Sequence, residues 1–290
     1  KFGGAESNIA VAMARLGFKS TWLSRLPDNP FGQRVLAELH GHGVDTSGVK
    51  QAANERIGTY YIEFGAAPRP NRVVYDRANS AASRMSVADV DFDLIASAKW
   101  FHTTGITPAL SANCAELTVA ALQFARAQGL RVSMDVNYRA LLWTPADAAR
   151  VLEPMLKQCH IVFVAHRDAV ALFGVSENGQ TAAQSLQRKL DCELVVVTVG
   201  ENGAIACNGT RTVHVEQPFN VPNPIDRIGA GDAFDAGFMA CQMRGANLED
   251  SLRYGHAMSA LKMTIPGDYA LVSSQEVEQL LGGDKRASVR

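Results

Sequence analysis

The sequence has no CxxC and no Cys/His cluster. Its five cysteines (114, 159, 192, 207 and 241) are scattered and odd in number. A disulfide framework therefore has no support, and a reduced, cytoplasmic compartment is expected. Seven dispersed histidines form no HExxH, which removes the common zinc-peptidase pattern. No apolar run approaches the roughly 20 residues that span a bilayer, so no membrane partner is expected. An excess of either charge is also missing. Lys plus Arg number 28 against 29 Asp plus Glu, for a net charge of −1. That balance gives no field for gripping nucleic acid or an anionic surface. There is no GxxxxGK[ST] loop, and no GxGxxG opens a helix after a strand, so neither a P-loop enzyme nor a nicotinamide dehydrogenase is supported. Internal repeats, heptads and low-complexity runs are lacking too.

What is present is a chain of 290 residues, 47% hydrophobic, enough for one large α/β domain or two small ones. Strand-like runs at Ser20–Leu26, Lys99–Thr104, Leu130–Val136, His160–Val164 and Leu194–Val199 alternate with helical ones. The helical periodicities cover Pro30–His40, Ala112–Gln128, Pro145–Lys157, Thr181–Leu190, Ala230–Arg244, Leu248–Met263 and Ser274–Leu281. Continuous apolar runs such as Val195-Val196-Val197 read as strands buried on both faces, as in a parallel sheet. The pattern predicts a doubly wound, mostly parallel α/β sheet with ligands at the carboxyl ends of the strands.

Two stretches depart from the alternation. Ile57–Phe64 and Arg72–Arg77 are β-rich and flank a Gly/Pro segment, which predicts an inserted hairpin. It reads either as a surface decoration or as a lid over the cleft, and Tyr60, Tyr61, Tyr75 and Arg77 favour the lid. Gly203–Cys207 and Thr212–Val215 read as an ordinary edge hairpin. At the start, Lys1-Phe2-Gly3-Gly4 lacks an initiator Met and leads directly into a helix with Ile9, Ala12, Met13 and Leu16 on one face. An upstream strand is expected to be missing, with an unfilled slot or bare sheet edge near Gly3-Gly4. The polar segment 282–290 is expected to fray.

The chemistry concentrates at Asp226-Arg227-Ile228-Gly229-Ala230-Gly231-Asp232-Ala233-Phe234. Two glycines and an acid stand where an apolar helix opens. Small residues there let a ligand reach unpaired backbone N–H groups, which attract anions together with the helix dipole. A carboxylate among them could act as a base beside a phosphoryl group. An ordinary glycine turn followed by an acid in a first helical turn explains the same residues.

This segment resembles the C-terminal signature of the ribokinase-like (PfkB) carbohydrate kinases. Gly3-Gly4-Ala5-Glu6-Ser7-Asn8-Ile9-Ala10-Val11-Ala12, ending in Arg15-Leu16-Gly17, resembles the N-terminal signature of the same family. Order and separation match across the whole chain, 1–290, with 57–77 as the lid of a single kinase domain. The resemblance implies ATP and Mg²⁺ as cofactors. It makes Asp232 the base that takes a proton from a sugar hydroxyl, and the amides of Gly229, Ala230, Gly231 and Asp232 an anion hole. Thr198, Gly200 and Gly203 resemble the turn over the nucleotide, although a plain strand-to-hairpin turn fits them as well. The stretch from Gly255 through Asp268 resembles the helix and loop that flank adenine, with His256 where the family usually has Asn. The family's Asn-x-x-Glu is replaced by Ala165-His166-Arg167-Asp168. Only Asp168 keeps a carboxylate that could bear, indirectly, on the metal.

Substrate residues follow from the same resemblance. Gly4 and Asn8 would contact sugar hydroxyls, and Tyr60 and Tyr75 would reach down from the lid. Tyr61 competes with Tyr60, because adjacent strand residues face opposite ways. Arg77 ends a lid strand, and Asp135-Val136-Asn137-Tyr138-Arg139 places Asn137 and Arg139 after a sheet strand. With His102–Ser111, these segments look like the 2-keto-3-deoxygluconate kinases of the family. Arginine matches a carboxylate bidentately, and a sugar acid offers one. Arg77 could equally be a solvated strand end, and Arg139 could pair with Asp135 or phosphate. The leading expectation is an ATP-dependent sugar-acid kinase acting at O6. A fructokinase is the nearest alternative, and a non-catalytic sugar-binding protein on the same fold is the alternative of another class. Lid strands of this kind imply a homodimer or higher homo-oligomer.

Overall fold

The computed structural model describes residues 1–65 and 69–283. The elements run α1 (Ala5–Arg15), β1 (Ser24–Pro27), α2 (Pro30–Gly41), β2 (Val49–Ala52), β3 (Thr59–Glu63), β4 (Arg72–Asp76), α3 (Phe92–Ala96), β5 (Trp100–Thr104), α4 (Ile106–Leu110) and α5 (Ala112–Ala127). They continue with β6 (Arg131–Asp135), α6 (Pro145–Leu156), β7 (Ile161–Ala165), α7 (His166–Phe173), α8 (Gly179–Leu190), β8 (Leu194–Thr198), β9 (Ala204–Cys207), β10 (Thr212–Val215), α9 (Ala230–Met243), α10 (Leu248–Met263) and α11 (Ser274–Leu281).

Six strands form the main sheet in the order β10-β9-β8-β7-β6-β5. Strands β5 to β8 are parallel, and β9 and β10 turn back antiparallel at one edge. Side chains alternate across β7 and β8. Ile161, Phe163, Leu194 and Val196 pack under α1, α9 and α10, while Val162, Val164, Val195 and Val197 pack under α5, α6, α7 and α8. This two-faced burial is why the strands read as unbroken apolar runs. Helix starts follow local chemistry. Asn29 accepts from the Phe31 and Gly32 amides ahead of α2, and Ser273 and Glu276 form a capping box on α11.

The first predicted strand is displaced. Only Ser24–Pro27 is extended, and it pairs in parallel with β2 in a separate two-stranded ribbon. Strand β2 is half polar and carries too little apolar pattern to be read from sequence. The helix α7, beginning at His166, was not expected either. It puts Asp168 in a first helical turn. On its outer side β5 pairs with no strand among the described residues. The cleft continues between this edge and β1, past Trp22, Ser24, Trp100 and Phe101.

The inserted hairpin forms as expected, with Tyr60 opposite Tyr75. Along both strands exposure alternates: Tyr60, Ile62, Val73, Tyr75 and Arg77 are partly buried, whereas Tyr61, Glu63, Val74 and Asp76 are exposed. The period of two therefore selects Tyr60, not Tyr61, as the inward residue. Residues 66–68 of the predicted connection and 284–290 of the polar tail lie outside the described residues.

Candidate active site

A cleft of about 2060 Å³ opens at the carboxyl ends of the parallel strands. It brings together Asn8 from α1, Arg77 from the lid, Arg139 after β6, Asp168 on α7 and Asp232 on α9. The volume exceeds that of a single small-molecule site, for which about 300–1,000 Å³ is typical, and has room for two ligands.

The mouth of α9 is shaped by glycine. Gly229 adopts φ 77° at the helix N-cap. A Cβ there would collide with the carbonyl oxygen of Asp268, so both backbone freedom and the close approach demand glycine. A Cβ on Gly231 would meet nothing within 4 Å, which leaves open space in front of the helix. Among the described residues the amides of Gly229, Gly231 and Asp232 have no acceptor, whereas the Ala230 amide donates to the Arg227 carbonyl at 3.2 Å. Of the four amides expected to form an anion hole, three are free among the described residues, because the turn engages the Ala230 donor. The loop itself is pinned by buried Asp226, which accepts from the Ile228 amide and the Gly267 amide, each at 3.0 Å. Fully buried Lys262 donates to the Asp226 carbonyl at 3.0 Å.

Asp232 is buried, and both of its oxygens are engaged. The Asn8 side-chain amide donates to Oδ2 at 2.6 Å and that of Asn137 to Oδ1 at 3.4 Å. Asn137 holds φ 39°, a left-handed conformation that Asn tolerates, and its backbone N–H donates to Asp135 Oδ1 at 3.1 Å. Desolvation raises the Asp232 carboxyl to about 6, with the Asn8 bond and Arg139 working against it. Burial and the Asp232 charge push Asp135 up, and burial beside Asp135 pushes Asp235 well up. A carboxylate with its proton affinity raised towards neutrality, in hydrogen-bonding reach of the cleft, is suited to general-base work.

At the lid end, Tyr60 donates its hydroxyl proton to Asp268 Oδ1 at 2.7 Å. Its ring lies 6.2 Å from that of Tyr75, and the Arg77 guanidinium sits 4.1 Å over the Tyr75 ring. Arg77 Nε and Nη2 are buried without a hydrogen-bond partner. Burial pulls its affinity for the proton down, and the like charge of Arg139 adds to that. Two guanidiniums therefore share the cleft wall, and neither forms an ion pair with a described acid.

The remaining predicted residues divide. Gly4 lines the cleft and donates its amide to Asn8 Oδ1 at 3.3 Å, and Thr198 also lines it. Gly200 and Gly203 do not. Gly200 opens a 3-10 turn, and a Cβ on Gly203 would strike the Val215 carbonyl, so the hairpin turn accounts for both. The expected nucleotide contact by His256 is corrected as well. That ring is 3% exposed, packs edge-on to Phe234 5.2 Å away, and does not line the cleft. Asp168 lines the cleft beside Arg167, at 3.4 Å, with burial raising its carboxyl. No set of three acids, histidines or cysteines suited to holding a metal occurs among the described residues.

Sequence reasoning passed over Asp268, Asp226 as a loop anchor, and Glu6, which accepts from Thr104 and Thr107 hydroxyls at 2.8 and 2.7 Å. Only the proximity of Asp226 and Asp268 to glycines hinted at them. Their partners lie 41 and 208 residues away in the chain, beyond any local pattern.

A model of the pfkB family of carbohydrate kinases matches residues 1–275. The chain is 44% identical over 282 residues to a 2-dehydro-3-deoxygalactonokinase of Haloferax volcanii, covering 97% of this chain and 88% of that protein. It is 31% identical over 266 residues to a 2-dehydro-3-deoxygluconokinase of Bacillus subtilis, covering 91% and 81%. The crystal structure of a 2-dehydro-3-deoxygluconokinase from Thermotoga maritima superimposes with a TM-score of 0.89 at 32% identity, covering 98% of this chain and 91% of that one.

Proposed function

The chain belongs to the pfkB family of carbohydrate kinases, and on that premise we propose that it transfers the γ-phosphoryl group of ATP to O6 of a 2-keto-3-deoxy six-carbon sugar acid, the gluconate form or its galactonate epimer. The observation that carries the substrate class is Arg77, which lines the cleft together with Arg139 and whose side chain has no ion-pair or hydrogen-bond partner among the described residues. A carboxylate in the cleft is the anion that a guanidinium grips bidentately. The names of the similar kinases support the same class, 2-dehydro-3-deoxy being the same chemistry as 2-keto-3-deoxy. In such an acid the carboxylate and the O6 hydroxyl stand at opposite ends of the carbon chain. A carboxylate on Arg77 leaves O6 free to approach Asp232.

In this reading Asp232 accepts the O6 proton as O6 attacks the γ-phosphorus, and ADP leaves. The free amides of Gly229, Gly231 and Asp232 receive the charge of the transferring group. The nucleotide runs from this helix mouth past Thr198. Mg²⁺ carried on the nucleotide would neutralise phosphate charge, and Asp168, which lines the cleft, is the acid that would bear on it indirectly. The hairpin 57–77 closes the sugar end of the single kinase domain. Its outer face exposes Tyr61 and Val74 at 63% and 48%, which supports pairing of two lids in a homodimer. A monomer mass by light scattering at micromolar concentration contradicts that pairing.

Arg77→Ala tests the substrate class. It raises KM for the sugar acid by about 10–100-fold, the loss expected for a charged hydrogen bond. It leaves KM for ATP and for a neutral sugar unchanged. An equal loss towards acid and neutral sugar overturns the carboxylate role.

A further inference from the structure

One acid of the cleft wall is held rigidly by one oxygen and left open at the other. Glu6 stands in the first turn of α1 and lines the cleft. Its Oε1 accepts from the Thr104 amide at 3.2 Å, the Thr104 hydroxyl at 2.8 Å and the Thr107 hydroxyl at 2.7 Å. The corner that supplies these donors is itself fixed. Thr104 is fully buried, its hydroxyl accepts from the Ile106 amide at 3.2 Å, and the Gly105 amide donates to the Asp135 carbonyl at 2.8 Å. Oε2 takes no hydrogen bond from any described residue and is not among the buried, unpartnered atoms, so it stays accessible at the cleft wall. No described cation forms an ion pair with Glu6.

The order of the strands says which ligand Oε2 faces. Along the carboxyl ends of the sheet, β8 brings Thr198 and β7 leads to Asp168, on the side given to the nucleotide. Next, β6 leads to Asn137, which bonds the base Asp232 at 3.4 Å. Then β5 ends at Thr104, which bonds Glu6. Glu6 is therefore fastened one strand beyond the base, about 4.8 Å further on, and away from the nucleotide. A carboxylate there repels the acid group of the substrate and attracts its hydroxyls. Between the acid group and O6, a 2-keto-3-deoxy six-carbon acid carries hydroxyls on C4 and C5. The 5-hydroxyl is next to the reacting carbon and stays beside Asp232, whereas the 4-hydroxyl lies further from the base.

We propose that Glu6 is a specificity-determining residue whose Oε2 accepts a hydrogen bond from the 4-hydroxyl of the sugar acid. C4 is the carbon at which the gluconate form and its galactonate epimer differ. One epimer turns its hydroxyl to Oε2, and the other leaves that oxygen without its donor, which costs affinity in the transition state. The three donors on Oε1 hold the carboxylate in place before substrate arrives, so little ordering is needed on binding. The proposal deepens the sugar-acid reading and rests on it.

A cycle that crosses Glu6→Gln with removal of the 4-hydroxyl tests this. Gln keeps an acceptor for Thr104 and Thr107, so Tm stays within about 2 °C of wild type, but it loses the charged acceptor at Oε2. In wild type, kcat/KM for the preferred epimer exceeds that for the 3,4-dideoxy acid by about 10-fold or more, the range for a hydrogen bond to a charged group. In Glu6→Gln that ratio shrinks to less than about 3-fold, and the preference between the two epimers shrinks with it. The dideoxy acid itself is turned over by both proteins within about 2-fold. A loss shared equally by both epimers and the dideoxy acid means a structural role and overturns the proposal. The wild-type arm is a test that needs no variant: a dideoxy acid handled as well as the epimers, or epimers handled alike within about 2-fold, overturns it too. Wild-type turnover of neither epimer overturns the sugar-acid reading and this inference with it, whereas turnover with a flat cycle overturns this inference alone.

Discussion

At the mouth of α9 the Asp232 carboxylate is held on both oxygens by Asn8 and Asn137, whereas at the lid end of the same cleft Arg77 carries two buried nitrogens with no partner. The first region is finished by the fold. On the proposed reading, the second is completed by a ligand of opposite charge. Preorganisation at the base serves any alcohol that reaches it, since phosphoryl transfer depends on positioning and charge neutralisation. On the proposed reading the arginine at the hairpin end selects which alcohol arrives, so chemistry and specificity are carried by different ends, and each can be disturbed without the other.

The largest effect is expected at the base. Asp232→Asn keeps the shape and hydrogen bonds but cannot take a proton, and lowers kcat by about 10²–10⁴-fold with KM for the sugar acid within about 2-fold. A steady-state assay retaining more than about a tenth of kcat removes Asp232 from that role. Next comes the anchor beneath it. Asp226→Ala strips acceptors from the Ile228 and Gly267 amides. It lowers kcat by about 10–100-fold through misplacement of the loop, and lowers Tm, leaving the Arg77-dependent preference for an acid intact. A changed acid-to-neutral preference in Asp226→Ala breaks the separation of the two ends.

Two smaller effects follow from burial of acids around the base. Asp232 must be unprotonated to act, and its carboxyl is raised to about 6, so kcat/KM falls as pH drops through that value. A profile flat down to pH 5 contradicts a raised base. Asp135 is also raised above its unfolded value. The folded state then holds that proton more tightly than the unfolded one. Its stability is full below the unfolded carboxylate pKa and is lost as pH rises through the folded one. Asp135→Asn, which still accepts from the Asn137 amide, therefore matches wild type in Tm at pH 4 and exceeds it at pH 8. Each kcal/mol of relieved repulsion gives roughly 2–4 °C in a chain of this size. Equal Tm at both pH values refutes the shift.

The same contrast explains what could be read from sequence. The α9 mouth is legible because its requirements are local: φ 77° at Gly229, open space at Gly231 and an acid in the first turn all fall within four residues. The lid was legible as a hairpin, and its period of two made Tyr60 or Tyr61 the choice, though only packing picks Tyr60. Asp268 stayed hidden because its hydrogen-bond partner, Tyr60, lies 208 residues away. His256 misled for a related reason. Its position in the motif suggested a ligand contact, but the packing of α10 on α9 turns the ring into the core against Phe234. β2 was missed since a four-residue polar strand, Val49–Ala52, has no periodicity of its own.

The most direct measurement of the central claim is a coupled kinase assay of the purified protein with ATP and Mg²⁺, comparing kcat/KM for 2-keto-3-deoxygluconate and its galactonate epimer with that for fructose. The account predicts that at least one of the acids exceeds fructose by about 100-fold or more, the discrimination expected when buried donors are left unpaired by the wrong substrate. Fructose turned over as well as, or better than, both acids would contradict it.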